Sequence, residues 1–460
     1  MSVPTLPDVA AQDGEVIVGQ GPSGGRFATR VRSSPSQALE NVRRLVERNQ
    51  RLADSAAAVA TLAPTGIVGA GQMGAAIAAA HLKCLLPVVL MDESEEALSE
   101  AQRAILAELG DDVVAGRGAG RLLSSRLLEV TRCEERISAC GLVLESIAEK
   151  SGAKQRLYER LEPRLARGAI WGSNTSAIPI ASLAERLAEP GRFCGMHFFH
   201  PVGARPLLEI VRGPATSSAT VAAAMAHARA LGLASVVVSD GPGFAMNRLL
   251  LAYLAAALSL LGEGVEIGRL EEALLAFGMA MGPLEMLDEI GLDTALRTSM
   301  AMAGVLGQRH PGLEILVRLV KAGQLGRKTG AGFFIYPDKS VNAEVPRLLA
   351  QCAWAPPAQA ARRAPQWIAR QLLGPMVREA VRLLAEGKVG DPRDIDLGVI
   401  FGLGFPSFRG GLLWWFDHCG AEHRRELLED ARPTEPPAPP GLAALAHGRQ
   451  PFYALEGVIP

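Results

Sequence analysis

Residues 65–80 read TGIVGAGQMGAAIAAA, and the rest of the chain can be interpreted outward from this stretch. Residues 65–68 predict a short buried strand, while the small residues from Ala75 onward predict a helix. The glycines between them permit a tight turn, close approach of the backbone to a pyrophosphate, and close packing of the helix on the strand. Free N–H groups at the start of that helix can bind the phosphates. The predicted cofactor-binding loop consists of Gly69, Ala70, Gly71, Gln72, Met73 and Gly74.

The next predicted strand, residues 88–91, ends at Asp92. A carboxylate about twenty residues after such a glycine loop is placed to hold the ribose 2′-hydroxyl of a dinucleotide. Glu93 follows directly, and no arginine stands beside it in the sequence to receive a 2′-phosphate. The pattern therefore predicts NAD as the cofactor in preference to NADP.

Short apolar runs continue to alternate with helical patterns, which is typical of an α/β Rossmann-type domain. After the runs that end at Glu145 and Trp171, further strands are expected near 193–198, 207–211 and 235–239. Together they predict a sheet of about eight strands.

Polar residues follow several of these strands. Glu149 and Lys154 lie near the start of the helix after Glu145, and the residues Ser173 to Ser176 follow the strand that ends at Trp171. Ligands of open α/β sheets lie at the carboxyl ends of the strands, so these side chains are candidates for a binding site. The simpler interpretation is that Glu149 is a favourable charge in a first helical turn and that Lys154 is solvated.

His197 lies within the apolar run from Phe193 to Phe199, and Glu209 stands on the next short run. Burial can keep an imidazole neutral, and a carboxylate at its far nitrogen would fix its tautomer. Such a pair makes a general base that works near neutral pH. The alternative is a core histidine with a satisfied hydrogen bond, which is the commoner role of one isolated histidine.

After residues 240–243, Asp-Gly-Pro-Gly, the pattern becomes helical, with a long helix predicted from Asn247 to Gly264. Asn247 could be only a polar residue of the first turn, or its amide could reach a cleft between domains. Before the glycine loop, residues 1–33 show little periodicity, and Ser34-Pro35 is typical of a helix start. We therefore expect an irregular segment at 1–33, a linker helix within 34–63, an NAD-binding domain at 64–241, and helical regions at 242–340 and 341–460.

The composition excludes several classes of protein. Forty-seven basic and forty-eight acidic residues give a net charge of −1, and no block of like charge suggests a nucleic-acid partner. The longest apolar run is too short to predict a membrane span. The six cysteines show no metal-ligand spacing, so no metal is expected, and they favour reduced thiols of a cytoplasmic protein. Acidic residues near the N-terminus argue against a secretion or transit signal.

Taken together, these motifs resemble the L-3-hydroxyacyl-CoA dehydrogenases. The resemblance covers residues 65–460 and rests on five motifs: the glycine loop with Asp92, Ser-Asn-Thr-Ser at 173–176, His-Phe-Phe-His-Pro at 197–201, Glu209, and DGPGFAMNR at 240–248. GPLE at 282–285, GLDT at 291–294 and GRKTGAGF at 326–333 are similar to the C-terminal helical domain of that family.

A second helical repeat resembles the multifunctional fatty-acid oxidation α-subunits. Residues 383–387, Leu-Leu-Ala-Glu-Gly, are similar to 260–264, and residues 401–406 are similar to 277–283. GFPSFRGG at 404–411 also matches the second repeat of those α-subunits. Their enoyl-CoA hydratase region has no counterpart in the first sixty residues, which are too few for that fold.

The resemblance implies a role for each site residue. His197 would be the base, Glu209 its orienting partner, and Ser176 and Asn247 would hydrogen-bond the 3-hydroxyl or 3-oxo oxygen. The residues that would line the dinucleotide are Glu149, Lys154, Asn174, His200 and Lys328. His200 is a departure, because the family usually has asparagine there.

The sequence thus predicts an NAD-dependent oxidation of L-3-hydroxyacyl-CoA to 3-oxoacyl-CoA in fatty-acid β-oxidation. A separate enoyl-CoA hydratase and a thiolase are the expected partner enzymes. Two alternatives are a short-chain acetoacetyl-CoA reductase, which would use the same site in reverse, and an inactive NAD-binding subunit of an oxidation complex.

Overall fold

The computed structural model describes residues 35–56, 64–116, 127–302, 313–352, 363–429 and 451–454. The predicted irregular segment 1–33 lies outside them. The described residues form two compact units. One comprises Arg43–Phe244, and the other comprises residues 35–42 together with those from Ala245 onward. The finer division of the helical region at residue 341 stays a prediction.

Within the described part of the first unit, eight strands form one sheet in the order β3-β2-β1-β4-β5-β6-β7-β8. The predicted α/β Rossmann-type domain with its eight-stranded sheet is therefore confirmed. The strands are β1 Thr65–Val68, β2 Val88–Met91, β3 Leu128–Thr131, β4 Leu142–Glu145, β5 Ile170–Ser173, β6 Phe193–Phe198, β7 Leu207–Arg212 and β8 Ala234–Ser239.

All neighbouring strands of this sheet are parallel except β6 and β7, which are antiparallel. The connection between them, residues 199–206, is shorter than the dozen or so residues that a parallel crossover requires. In the antiparallel register His197 lies directly opposite Glu209. Side chains of opposed residues project from the same face of a sheet, so this register alone brings the two together.

Helices cover both faces of the sheet. Helix α1, Pro35–Ala56, has its first residues in the second unit and the rest in the first. The other helices of the first unit are α2 Gln72–Lys83, α3 Glu95–Gly116, α4 Glu134–Ser138, α5 Ser151–Leu161, α6 Ile180–Ala184 and α7 Ser218–Ala230. Short 3₁₀ turns lie at Glu162–Arg164 and Pro190–Arg192. One face of the sheet contributes Ile67, Leu90, Leu144 and Ile210 to a core shared with α2, α3 and α7, and these four are fully buried.

The turn from β1 into α2 requires two of its glycines. Gly69 has φ of +109°, a conformation that side-chain-bearing residues rarely adopt. A Cβ atom on Gly74 would lie 1.9 Å from the carbonyl oxygen of Gly69, so only glycine lets the helix begin so close to the strand. Here local sequence and local structure agree.

Helix α1 packs on later parts of the chain, as the sequence predicted. In the second unit, Asn41 Nδ2 donates a 2.7 Å hydrogen bond to the carbonyl of Gly410. In the first unit, Asn49 Nδ2 donates to the carbonyl of Ser235 at 2.5 Å, and Ser235 N donates back to Asn49 Oδ1 at 3.1 Å. Both asparagines are buried, so their amides replace water at these backbone groups.

The second unit is helical, which confirms the predicted helical C-terminal region. Its helices are α8 Met246–Gly262, α9 Ile267–Phe277, α10 Pro283–Ile290, α11 Leu292–Ala301, α12 Leu313–Lys321, α13 Glu344–Leu349, α14 Pro365–Ala385, α15 Pro392–Leu403, α16 Leu412–His418 and α17 Ala421–Glu429. Strands β9 Phe334–Ile335 and β10 Ser340–Val341 pair antiparallel. Short 3₁₀ turns lie at Arg327–Thr329, Ser407–Arg409 and Phe452–Ala454.

The two helical repeats use the same buried contacts. Glu271 on α9 accepts the backbone N–H of Leu284 in the first turn of α10 at 2.9 Å. Asp396 on α15 accepts those of Leu413 and Trp414 in the first turn of α16, at 2.7 and 2.9 Å. Each acid therefore caps the helix that follows its own.

A second acid in each repeat, one buried and one partly buried, accepts hydrogen bonds from two successive backbone N–H groups. These acids are Asp288, which accepts from Phe333 and Phe334, and Asp417, which accepts from Phe452 and Tyr453. The shared pattern supports the prediction of two related repeats. In the described ranges of the chain, we find no helix with the length and apolar character that crossing a membrane requires.

Candidate active site

His197 and Glu209 form a buried pair at the junction of β6 and β7. His197 Nδ1 lies 2.8 Å from Glu209 Oε2. His197 is 5% exposed and Glu209 is fully buried. A carboxylate accepts a hydrogen bond from an imidazole N–H, so the Nδ1 atom of His197 carries the hydrogen. Nε2, the other ring nitrogen, is then left with a lone pair that can accept a proton.

Aromatic rings hold the imidazole in place. The ring of Phe199 lies 4.5 Å from that of His197, and the ring of Phe244 lies 5.9 Å away. Both phenylalanines are buried. Phe199 belongs to the apolar run that the sequence showed around His197, whereas Phe244 comes from beyond β8 and carried no signal of this contact.

The loop after β5 is tied to the strand that carries His197. Asn174 Oδ1 accepts the backbone N–H of Phe198 at 2.9 Å, and Asn174 Nδ2 donates to Ser146 Oγ at 3.3 Å. Asn174 is only 9% exposed. The amide of Asn174 therefore fixes the loop that contains Ser176 against the residue that follows His197.

Glu149 shapes the same loop. Its Oε1 atom accepts hydrogen bonds from Thr175 Oγ1 at 2.7 Å, Ser176 N at 2.9 Å and Ala177 N at 3.3 Å. Burial alone would raise the pKa of Glu149, but Lys154 together with Thr175 and Ser176 lowers it below its ordinary value. Glu149 is thus a charged acceptor that organises the turn bearing Ser176.

Lys154 is buried. The simpler interpretation of the sequence, in which this side chain is solvated, is therefore wrong. Its Nζ lies 2.6 Å from Glu145 Oε1 and 3.3 Å from Glu149 Oε2, and its side chain is 1% exposed. Glu145 also accepts from Tyr158 and Ser173, each at 2.7 Å. Sequence reasoning assigned Glu145 no role. The only signal was its place at the end of a strand in register with Ser173.

The glycine loop and Asp92 are joined at the start of α2. Asp92 Oδ2 accepts the backbone N–H of Ala70 at 2.8 Å, and Asp92 Oδ1 accepts that of Ser94 at 2.9 Å. A Cβ on Gly71 would meet nothing within 4 Å, so one side of the loop is open. An open glycine loop at a helix N-terminus beside a carboxylate fits the pyrophosphate and ribose of a dinucleotide.

Arginines surround Glu93, which the sequence alone did not show. Arg160 Nη2 donates to Glu93 Oε1 at 3.0 Å, and Arg132 Nε donates to the carbonyl of Glu93 at 3.1 Å. Neither arginine is a neighbour of Glu93 in the sequence. The sequence pattern considered only chain neighbours of Glu93, whereas in the structure the Glu93 carboxylate is paired with Arg160.

His200 contacts the glycine loop. Its Nε2 lies 3.2 Å from Nε2 of Gln72. The residue that departs from the family pattern is thus beside one member of the predicted cofactor loop. Its role toward a dinucleotide stays a prediction.

The first unit brings together most of the predicted site residues. His197, Glu209, Asn174, Ser176 and Glu149 are linked through β5, β6 and β7 by the contacts above, and the glycine loop and Asp92 form a second group. Two predicted residues belong to the second unit. Asn247 lies in the first turn of α8, and Lys328, on the turn Arg327–Thr329, forms an ion pair with Asp293.

This arrangement is suited to removing a proton from an alcohol. Nε2 of His197 has the lone pair that a general base requires, and a carboxylate placed like that of Glu209 favours an imidazolium. The Ser176 loop supplies hydroxyl and backbone groups next to the same strand. A dinucleotide site in the same sheet provides for oxidation at the carbon that bears the alcohol.

Two family models match the chain. Residues 64–241 match the NAD-binding domain of 3-hydroxyacyl-CoA dehydrogenase, and residues 243–336 match the C-terminal domain of 3-hydroxyacyl-CoA dehydrogenase.

Solved structures show the same similarity. The chain is 33% identical to FadB2 of M. tuberculosis, covering 60% of this chain and 100% of that protein with a TM-score of 0.57. It is 32% identical to the (S)-3-hydroxybutyryl-CoA dehydrogenase PaaH1 of Ralstonia eutropha, covering 59% of this chain and 98% of the relative with a TM-score of 0.53. The dehydrogenase part of a multifunctional enzyme of C. elegans is 25% identical, covering 75% of this chain and 79% of the relative, with a TM-score of 0.54.

Proposed function

The chain belongs to the 3-hydroxyacyl-CoA dehydrogenase family and binds NAD, and from this premise we propose that it oxidises L-3-hydroxyacyl-CoA to 3-oxoacyl-CoA in fatty-acid β-oxidation. The observation that carries the proposal is the buried His197–Glu209 pair, in register across β6 and β7. A general base of this kind is what removal of a hydroxyl proton requires.

The proposed reaction removes a proton and a hydride from one alcohol. Nε2 of His197 takes the proton of the 3-hydroxyl, and Glu209 stabilises the positive charge that the imidazole acquires. Ser176 and Asn247 hydrogen-bond the same oxygen while it becomes a carbonyl. Bound NAD⁺ supplies the acceptor for the hydride that leaves the adjacent carbon. The products are a 3-oxoacyl-CoA, NADH and one proton.

Glu149, Lys154 and Asn174 are proposed to act on the cofactor region mainly by positioning the site. Lys154 is almost fully buried between two carboxylates, and both ends of the Asn174 amide are hydrogen-bonded within the protein. The Ser176 turn depends on Glu149 for three hydrogen bonds. Loss of any of these side chains is therefore expected to alter catalysis through Ser176 and the His197 strand.

The chemistry of the substrate and product points to the neighbouring reactions. A 3-hydroxyacyl-CoA is the product of hydrating an enoyl-CoA, and a 3-oxoacyl-CoA is the substrate of thiolytic cleavage. We therefore propose an enoyl-CoA hydratase and a thiolase as the enzymes that precede and follow this one.

The test is NADH formation, followed by absorbance, with purified protein and a series of (S)-3-hydroxyacyl-CoA substrates. The series begins with (S)-3-hydroxybutyryl-CoA, the compound in the name of the R. eutropha relative, and extends to longer acyl chains. The (R)-enantiomers are the matched controls. The proposal predicts turnover of the (S)-compounds only. Bound NAD without turnover at any chain length would instead favour an inactive NAD-binding subunit.

A further inference from the structure

Asn247 lies between two buried residues at the start of α8. Asn247 itself is partly exposed, whereas Met246 is fully buried and Arg248 is 4% exposed. The residue that precedes the helix, Ala245, provides no side-chain cap. The packing of Met246 and Arg248 therefore contributes to the orientation of this first turn.

Arg248 is held by two acids of the second helical repeat. Its Nε lies 2.5 Å from Glu379 Oε1, and its Nη1 and Nη2 lie 2.6 and 3.2 Å from the two carboxylate oxygens of Glu386. Glu379 lies in the C-terminal half of α14, the first helix of the second repeat, and Glu386 follows directly after that helix. Because the guanidinium is a planar fork, three such bonds fix its orientation.

Met246 is enclosed by the next helix of the same repeat. A Cβ atom on Gly398, in α15, would lie 2.4 Å from Met246 Sδ and 2.8 Å from its Cε. Glycine is thus the only residue that leaves room for the methionine as it stands. Successive residues of a helix point about 100° apart, so contacts at Met246 and Arg248 restrain rotation in both directions.

We propose that the second helical repeat is a positioning element for the reaction. Glu386 acts through Arg248 and Gly398 acts through Met246, and together they set the direction of the Asn247 amide. The inference rests on the role proposed above for Asn247. An amide roughly 5 Å from the helix axis moves about 0.9 Å when the helix turns by about 10°. Misplacement by about 1 Å can cost about a hundredfold in rate.

The experiment uses the full chain and two variants, Glu386→Gln and Gly398→Ala. Glu386 is half-exposed, so its variant keeps a neutral hydrogen-bonding group at a tolerant position. Matched controls in the same repeat are Glu429→Gln, which breaks an exposed ion pair with Arg425, and Gly390→Ala, where an added Cβ meets nothing within 4 Å. The measurements are kcat, KM, NAD⁺ affinity and Tm, with kinetics recorded well below the unfolding temperature.

The proposal predicts that kcat falls about tenfold or more in both variants. The NAD⁺ affinity of both variants should stay near that of the unmutated protein. The two control variants should keep both the unmutated kcat and the unmutated NAD⁺ affinity. In an Asn247→Ala background neither substitution should lower kcat further, because the group they position is absent. If these contacts were merely structural, their effects on kcat would instead add to that of Asn247→Ala.

Two results would overturn the inference. One is a lower Tm with unchanged kcat in both variants, which would make these contacts structural only. The other is an equal loss of kcat with and without the Asn247 amide. If Asn247→Ala itself retained full kcat, the role proposed for Asn247 would fail. This single variant tests that role without any substitution in the second repeat.

Discussion

Replacement of the buried Lys154 by methionine is expected to destabilise the first unit strongly. The variant removes the cation that lies 2.6 Å from Glu145 and 3.3 Å from Glu149 while keeping much of the apolar stem. Removing one partner of a buried ion pair costs about 3–5 kcal/mol. Glu145 retains hydrogen bonds from Tyr158, Ser173 and the N–H of Ile147, which places the cost near the lower limit, about 3 kcal/mol.

For a domain of this size, a loss of that magnitude lowers Tm by about 6–12 °C. The assay is thermal unfolding followed by circular dichroism, with Lys150→Met as the control because Lys150 is exposed at the start of the same helix. NAD⁺ affinity and kcat are measured on the folded variant. We expect kcat to fall more than affinity, because the Lys154 ammonium acts on Glu149 and hence on the Ser176 turn. An unchanged Tm with a large loss of NAD⁺ affinity would refute this reasoning and make Lys154 a direct cofactor contact.

Three further predictions concern cofactor choice, His200 and pH. Asp92→Ala should weaken NAD⁺ more than NADP⁺. Glu93→Gln removes one of the two carboxylates paired with Arg160 and should raise kcat/KM for NADP⁺ relative to NAD⁺; equal changes with both cofactors would contradict this. His200 contacts Gln72 of the glycine loop, so His200→Asn should change NAD⁺ affinity, and an unchanged affinity would remove His200 from the site. Burial raises the pKa of Asp396 to about 7, so the folded protein keeps a proton that the unfolded chain releases above about pH 4. Stability should therefore fall as pH rises from about 4 to 7, and urea unfolding of Asp396→Asn should show a shallower slope, because burial also raises the pKa values of Glu271, Asp288 and Asp417.

The sequence predicts best those features that depend on near neighbours. The glycine loop, the strand before it and Asp92 form one βα unit, and its turn requires glycine at Gly69 and Gly74 for reasons of backbone geometry and space. The two helical repeats could likewise be recognised from similar short runs, and their buried acids make corresponding contacts.

The antiparallel pairing of β6 and β7 was not predicted, although the sequence contains a signal for it. The connection at 199–206 is too short for a parallel crossover. That reasoning would have placed His197 opposite Glu209 from strand geometry, independently of the family resemblance.

The surroundings of Lys154 and Glu93 could not be predicted from the sequence. A lysine in the first turns of a helix is ordinarily solvated, and its burial depends on Glu145, which a strand on the same sheet delivers. Arg160 reaches Glu93 from a helix far along the chain. Both contacts arise only when separate βα units are assembled side by side, so no local pattern encodes them.

The most direct test of the proposed function compares His197→Gln with the unmutated protein in NADH formation from an (S)-3-hydroxyacyl-CoA. His423→Gln, on α17 in the second repeat, is the control for an imidazole lost elsewhere. We predict that His197→Gln lowers kcat by about two to four decades, the usual contribution of a positioned general base, while NAD⁺ affinity and the control remain close to the unmutated values. Full turnover by the His197→Gln protein would contradict the assignment of His197 as the base.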